Sequence, residues 1–212
     1  MHPSGAPLRI VIVAPESLVP GPDDEPEAAG QAERSRQLRI GLLEGGYNIV
    51  AVLPADMFLP DRIAQIQPDL IIVDAESQAR DTLEHVVMAT RDERRPIVLF
   101  TDDSDTTHMK DAIAAGVTAY VVAGLATERV KPVLDVAMAR FQVEENLRRE
   151  LADARSQLND RKLVERAKGL LMQRHGLSEQ EAYARLRKAA MDKGLKLADL
   201  AQRMLDALDL LG

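Results

Sequence analysis

The chain has no cysteine, no tryptophan, and only three tyrosines and three phenylalanines in 212 residues. Without cysteine there are no disulfides, no thiolate metal sites and no cysteine nucleophile. So few aromatics argue against a sheet that stacks single-stranded RNA bases on exposed rings. No apolar run approaches the roughly 20 residues of a membrane span, and the opening stretch MHPSGAPLR lacks the apolar core of a signal peptide. These absences lead us to expect a cytoplasmic protein without membrane contact. Signs of catalysis are missing too. There is no phosphate-cradling glycine loop and no nucleophile spaced from a base, and the four scattered histidines form no metal cluster. No enzyme activity, cofactor or metal is therefore expected.

What is present is an apolar content of 46%, enough for one medium domain and a small appendage, and an uneven spread of charge. Residues 161–196 hold ten Lys/Arg against four Asp/Glu, which makes this stretch six charges positive. The formal net charge of the whole chain is -7, so the remainder is thirteen charges negative. A small basic output module carried by an acidic, regulatory or partner-binding body has this layout.

The first two-thirds alternates strand and helix patterns. Leu8–Val13, Asn48–Leu53, Asp69–Val73, Pro96–Phe100 and Thr118–Val122 are short apolar runs bounded by turn residues and separated by helical patterns. That pattern predicts a parallel sheet covered on both faces, in the flavodoxin-like order 2-1-3-4-5. Between the first strand and first helix, residues 21–30 carry prolines, glycines and four acids. They read as a solvated loop before a helix over Gln31–Glu44, or as an acidic decoy for the basic module. From Ala126 no glycine occurs until Gly169, so the fifth helix is expected to run into a long connector, with Pro132 tolerated near its start. In that connector Leu147, Leu151, Ala154 and Leu158 repeat at 4-3-4 spacing, a short coiled-coil seam. The seam either joins two copies in a homodimer or folds back on its own domains. Ala137, Met138 and Phe141 are expected to pack the fifth helix on the sheet.

The basic stretch has its own punctuation. Leu163, Ala167, Leu170 and Leu171 recur at helical spacing up to Gly176. Ser178 stands three residues before Glu181, a capping box opening a second helix that ends at Gly194. Leu197, Leu200, Ala201, Met204, Leu205 and Leu208 form a third amphipathic run. Ala167 and Ala182 read as core, Met172 and Met191 as packing residues, and His175 as a helix-end residue. Gly169 is expected to permit close approach of another helix or backbone. Taken alone, the charges fit either a solvated face or a phosphate-binding one.

The string Glu165-Arg166-Ala167-Lys168-Gly169-Leu170-Leu171-Met172, then Ser178-Glu179-Gln180-Glu181-Ala182-Tyr183, Leu186-Arg187, Ala190-Met191 and Leu197-Ala198-Asp199-Leu200-Ala201, resembles the ANTAR domain, an RNA-binding module of bacterial transcription antiterminators. With Thr101, Ala119-Tyr120-Val121-Val122, Arg129-Val130-Lys131-Pro132 and Asp135–Phe141 upstream, nearly the whole chain looks like the nitrate- and nitrite-responsive antiterminators. The resemblance implies a receiver-like domain over 7–127, a fifth helix continuing into a coiled-coil connector over 128–158, and an ANTAR domain over 159–212. It also implies binding of paired hairpins in a leader mRNA, antitermination upstream of nitrate or nitrite assimilation genes, and control through sequestration by a nitrate-sensing protein. Lys168 and Arg187 are then the leading RNA contacts, with Arg166, Arg174, Lys188 and Lys193 on phosphates. Tyr183 either stacks on an unpaired base or simply packs.

Asp74, Thr101 and Gly116 match a response-regulator receiver. Phosphoryl transfer to Asp74 needs an acidic pair for Mg²⁺ after the first strand and a lysine after the fifth. Ala14-Pro15 and Ala123-Gly124 stand there instead, and Glu16 or Glu76 would not restore the missing cation. The expectation is a pseudo-receiver that serves as a docking platform. The alternative is a phosphorylatable adaptor with a protein-binding helical tail.

Overall fold

Runs of Val, Ile and Leu too short for helices become the strands β1 (Arg9–Val13), β2 (Asn48–Leu53), β3 (Leu70–Asp74), β4 (Ile97–Thr101) and β5 (Ala119–Val122). They form one sheet in the order β2-β1-β3-β4-β5, with every pairing parallel, as the apolar runs predicted. The computed structural model describes residues 7–14, 26–74, 79–91, 93–102, 104–122 and 127–209. Within it the helices are α1 (Pro26–Glu44), α2 (Leu59–Ile66), α3 (Ala79–Ala89), α4 (Thr106–Ala115), α5 (Thr127–His175), α6 (Glu179–Asp192) and α7 (Leu197–Asp209).

Successive strand side chains point to opposite faces, so each central strand serves two cores. Ile10, Ile12, Ile72, Val98 and Phe100 meet Leu38 and Leu42 of α1 and Val130, Leu134 and Ala137 of α5. Met138 packs against the same cluster, and Arg94 lies over the ring of Phe141. On the other face Val11, Val13, Ile71, Val73 and Leu99 meet Leu59 and Ile63 of α2, Leu83 and Val86 of α3 and Ala112 of α4. α1 and α5 lie close together because Gly41 has no side chain. A Cβ there would sit 2.6 Å from Val130 Cγ2 and 2.9 Å from the Thr127 carbonyl oxygen.

α1 begins earlier than the composition of 21–30 suggested. Its first residue is Pro26, so half of the expected loop is helical. Proline at the first helical position costs no hydrogen bond, because that N–H has no partner inside a helix anyway. Residues 21–25 lie outside the described ones.

The chain divides into two compact units, Met1–Val143 and Glu144–Gly212. α5 is one unbroken helix of 49 residues that belongs to both, with Pro132 in its second turn. Along its middle, Val143, Leu147, Leu151 and Leu158 are all more than half exposed.

Candidate nucleic-acid interface

In the C-terminal unit the end of α5 packs on α6 and α7 around a core made mostly of small residues. Ala167, Leu186 and Ala201 are buried, and Leu163, Val164, Leu171, Leu197, Leu200 and Met204 close around them. Gly176 and Gly194 both take positive φ, +65° and +62°, and let the chain leave α5 and α6 sharply. The capping box forms as its spacing predicts: Ser178 N–H donates to Glu181 Oε2 at 2.9 Å, and Glu181 N–H donates to Ser178 Oγ at 3.4 Å. The Ser178 hydroxyl, which donates to Glu181 Oε2 at 2.6 Å, and after it the Ser178 N–H hold the Glu181 carboxyl below the ordinary carboxylate range.

Lys168 lies at this corner and is tied down. Only 8% of its side chain is exposed, and its ammonium sits 2.8 Å from Glu165 and 2.7 Å from Glu179. The hydrogen bond to Glu165, then that to Glu179, raises its pKa above the ordinary lysine value, and Lys168 in turn lowers that of Glu179. The ion pair to Glu179 links α5 to the first turn of α6.

The other nine lysines and arginines of 161–196 behave differently. Arg161, Lys162, Arg166, Arg174, Arg185, Arg187, Lys188, Lys193 and Lys196 are all exposed. None of their side chains has an ion-pair or hydrogen-bond partner among the described residues. Arg187 lies four residues after Tyr183, so the two share one face of α6. Tyr183, 44% exposed, lines a groove of about 390 Å³ together with Arg161, Lys196, Leu197 and residues of α5. Arg161 and Lys196 were not singled out from sequence, since their nearness to Tyr183 depends on how three helices pack. Gly169 differs from expectation: a Cβ there meets nothing within 4 Å, so no helix or backbone among the described residues approaches it. Ala167 and Ala182 are buried as expected, while Met172 and Met191 are exposed rather than packed.

The receiver-like unit has a second polar centre. Asp74 and Thr101 end β3 and β4, side by side at the carboxyl edge of the sheet, each only 1% exposed. Arg34 of α1 places Nε 3.5 Å from Asp74 Oδ1 and pairs through Nη1 with Asp102. The Ser35 hydroxyl donates to Asp74 Oδ2. Ala14 follows β1, while Pro15, Glu16, Glu76 and Ala123-Gly124 lie outside the described residues.

Comparison with known proteins meets this geometry at the basic unit. The family model of the ANTAR domain matches residues 152–205. Residues 152–205, within the C-terminal unit, are thus similar to that domain. Over 205 residues it is 29% identical to the transcriptional regulatory protein PdtaR of Mycobacterium tuberculosis, covering 97% of this chain and 93% of that one. Over 75 residues it is 35% identical to the nitrate regulatory protein of Klebsiella oxytoca, covering 35% of this chain but only 19% of that protein. Among solved structures, the signal receiver domain of a modulated diguanylate cyclase from Desulfovibrio desulfuricans aligns with 66% of this chain and 99% of its own, at 17% identity and a TM-score of 0.47. That of a putative LuxO repressor protein from Vibrio parahaemolyticus aligns with 67% and 98%, at 14% and 0.48. The fold assignment rests on strand order and register, not on these likenesses.

Proposed function

We propose that this chain is an RNA-binding antitermination regulator, not an enzyme. Its ANTAR domain grips paired hairpins in a leader transcript and favours continued transcription into nitrate or nitrite assimilation genes. The observation that carries the reading is the set of nine exposed lysines and arginines, without partners among the described residues, on the unit that matches the ANTAR model. A polyanion supplies partners for such charges and releases its counterions in doing so. Arg187, beside Tyr183, is the leading contact, with Arg166, Arg174, Lys188 and Lys193 on phosphates. Tyr183 offers an exposed ring to an unpaired base. Lys168 acts indirectly: with its ammonium held by two carboxylates, it fixes the corner from which α6 projects.

The exposed seam of Leu147, Leu151, Ala154 and Leu158 supports a homodimer through the connector. Two modules on one dimer would engage two hairpins at high effective concentration. Control is assigned to a nitrate-sensing protein that sequesters the regulator by docking on the acidic body, in the cytoplasm. The nitrate regulatory protein of Klebsiella oxytoca is the relative that supports this signal. The phosphorylatable-adaptor reading is disfavoured by Arg34, which already occupies Asp74.

The test is binding of the purified chain to a two-hairpin leader RNA and to the same RNA with scrambled loops. Loop-dependent binding that Arg187→Ala abolishes, without unfolding the protein, is the expected result. Equal affinity for both RNAs would reduce the basic face to non-specific electrostatics.

A further inference from the structure

A parallel sheet whose third strand ends in aspartate and whose fourth ends in a hydroxyl residue is the framework on which receivers hold Mg²⁺. The residues here do not fit that ion. Among the described residues no group of three or more His, Cys, Asp or Glu is placed to hold a metal. Ala14, after β1, offers no side-chain oxygen. The carboxylate that would ligate the ion is instead covered by a cation of the protein's own.

We propose that Arg34 is a built-in replacement for the divalent cation. Its guanidinium neutralises Asp74 permanently and closes the acceptor position to metal and to phosphoryl donors. A buried carboxylate is tolerated when it is both ion-paired and hydrogen-bonded. Asp74 has the first from Arg34 and the second from the Ser35 hydroxyl, two consecutive residues of one helix. α1 holds Arg34 in place, because Leu38 and Leu42 follow it at four-residue intervals on the same face and are buried against the sheet. Close packing at Gly41 fixes how α1 lies on α5. Arginine suits this role better than lysine. Its planar fork reaches Asp74 and Asp102 at once. The inference deepens the reading of the body as an unphosphorylated docking platform and is independent of RNA binding by the other unit.

Thermal unfolding of the full chain, in EDTA and in excess MgCl₂, tests the assignment, together with mass spectrometry after incubation with acetyl phosphate and Mg²⁺. Wild type should melt at the same temperature in both buffers and gain no phosphoryl mass. Arg34→Gln should lower the melting temperature, and adding Asp74→Asn should recover part of the loss, since the stranded charge is then gone. Mg²⁺ stabilisation of the wild type, or a phosphoryl adduct lost in Asp74→Ala, would overturn the proposal. Strictly additive losses from Arg34→Gln and Asp74→Asn would overturn it as well. Should Arg34→Gln fail to fold, Arg34→Lys takes its place: a melting temperature that stays blind to Mg²⁺ supports the replacement, and one that Mg²⁺ raises in both wild type and variant contradicts it.

Discussion

The body and the basic stretch 161–196 differ in how many of their cations meet a carboxylate among the described residues. In the receiver-like unit Arg34, Arg62, Arg95 and Lys131 each meet a carboxylate of the same unit, and the Arg34 partner is buried. In the C-terminal unit, among the described residues, Lys168 alone of the ten cations in 161–196 does so. The difference separates structure from function. A cation with a carboxylate partner holds the fold together, whereas one kept exposed without a partner is available to a polyanion. The cores differ in the same sense. Nearly all of the largest fully buried side chains belong to the body, and Leu186 is the exception. The smaller unit therefore depends more heavily on caps and on the ion pairs of Lys168 with Glu165 and Glu179.

The comparison can be broken most severely in the body's core. Ile72 is fully buried in β3, and Ile72→Ala should cost about 2–5 kcal/mol in a urea titration, through lost burial and the cavity left behind. Gly41→Ala should cost about 1–3 kcal/mol by forcing α1 off Val130 and the Thr127 carbonyl. In the C-terminal unit, Ser178→Ala removes the α6 cap and should cost about 1 kcal/mol. The same corner is sensitive to acid. Glu181 and Glu179 are both held below the ordinary carboxylate range, Glu181 by Ser178 and Glu179 by Lys168. Their stabilisation is complete above the unfolded glutamate pKa of about 4.3 and is lost as pH falls through the lower folded values. Melts followed by circular dichroism should accordingly show Ser178→Ala losing less stability on acidification than wild type. The smallest effect on folding is expected at the exposed cations, where Arg187→Ala should change stability by no more than about 0.5 kcal/mol.

How far the sequence could be read depended on the range of the interactions involved. The sheet was legible because burial on both faces leaves continuous Val/Ile/Leu runs in the chain. The Ser178–Glu181 box was legible because its partners are three residues apart. The start of α1 was not, since proline and glycine signal a loop even where proline opens a helix. Lys168 stood out as an RNA contact through the ANTAR resemblance, but its burial depends on Glu179, eleven residues on and across a turn. Arg34 gave no signal, because forty residues and the crossover between β1 and β3 separate it from Asp74. At Gly169 close approach of a helix or backbone was expected, and no described residue comes within 4 Å of a Cβ built there.

The division between committed and open cations is tested most directly by the salt dependence of leader-RNA binding, compared between wild type and an Arg166→Ala/Arg174→Ala/Arg187→Ala variant of matched melting temperature. If these side chains neutralise phosphates, the slope of log affinity against log salt concentration should become shallower by about two to three, with the fold unchanged. An unchanged slope would contradict the account and place the RNA on another surface.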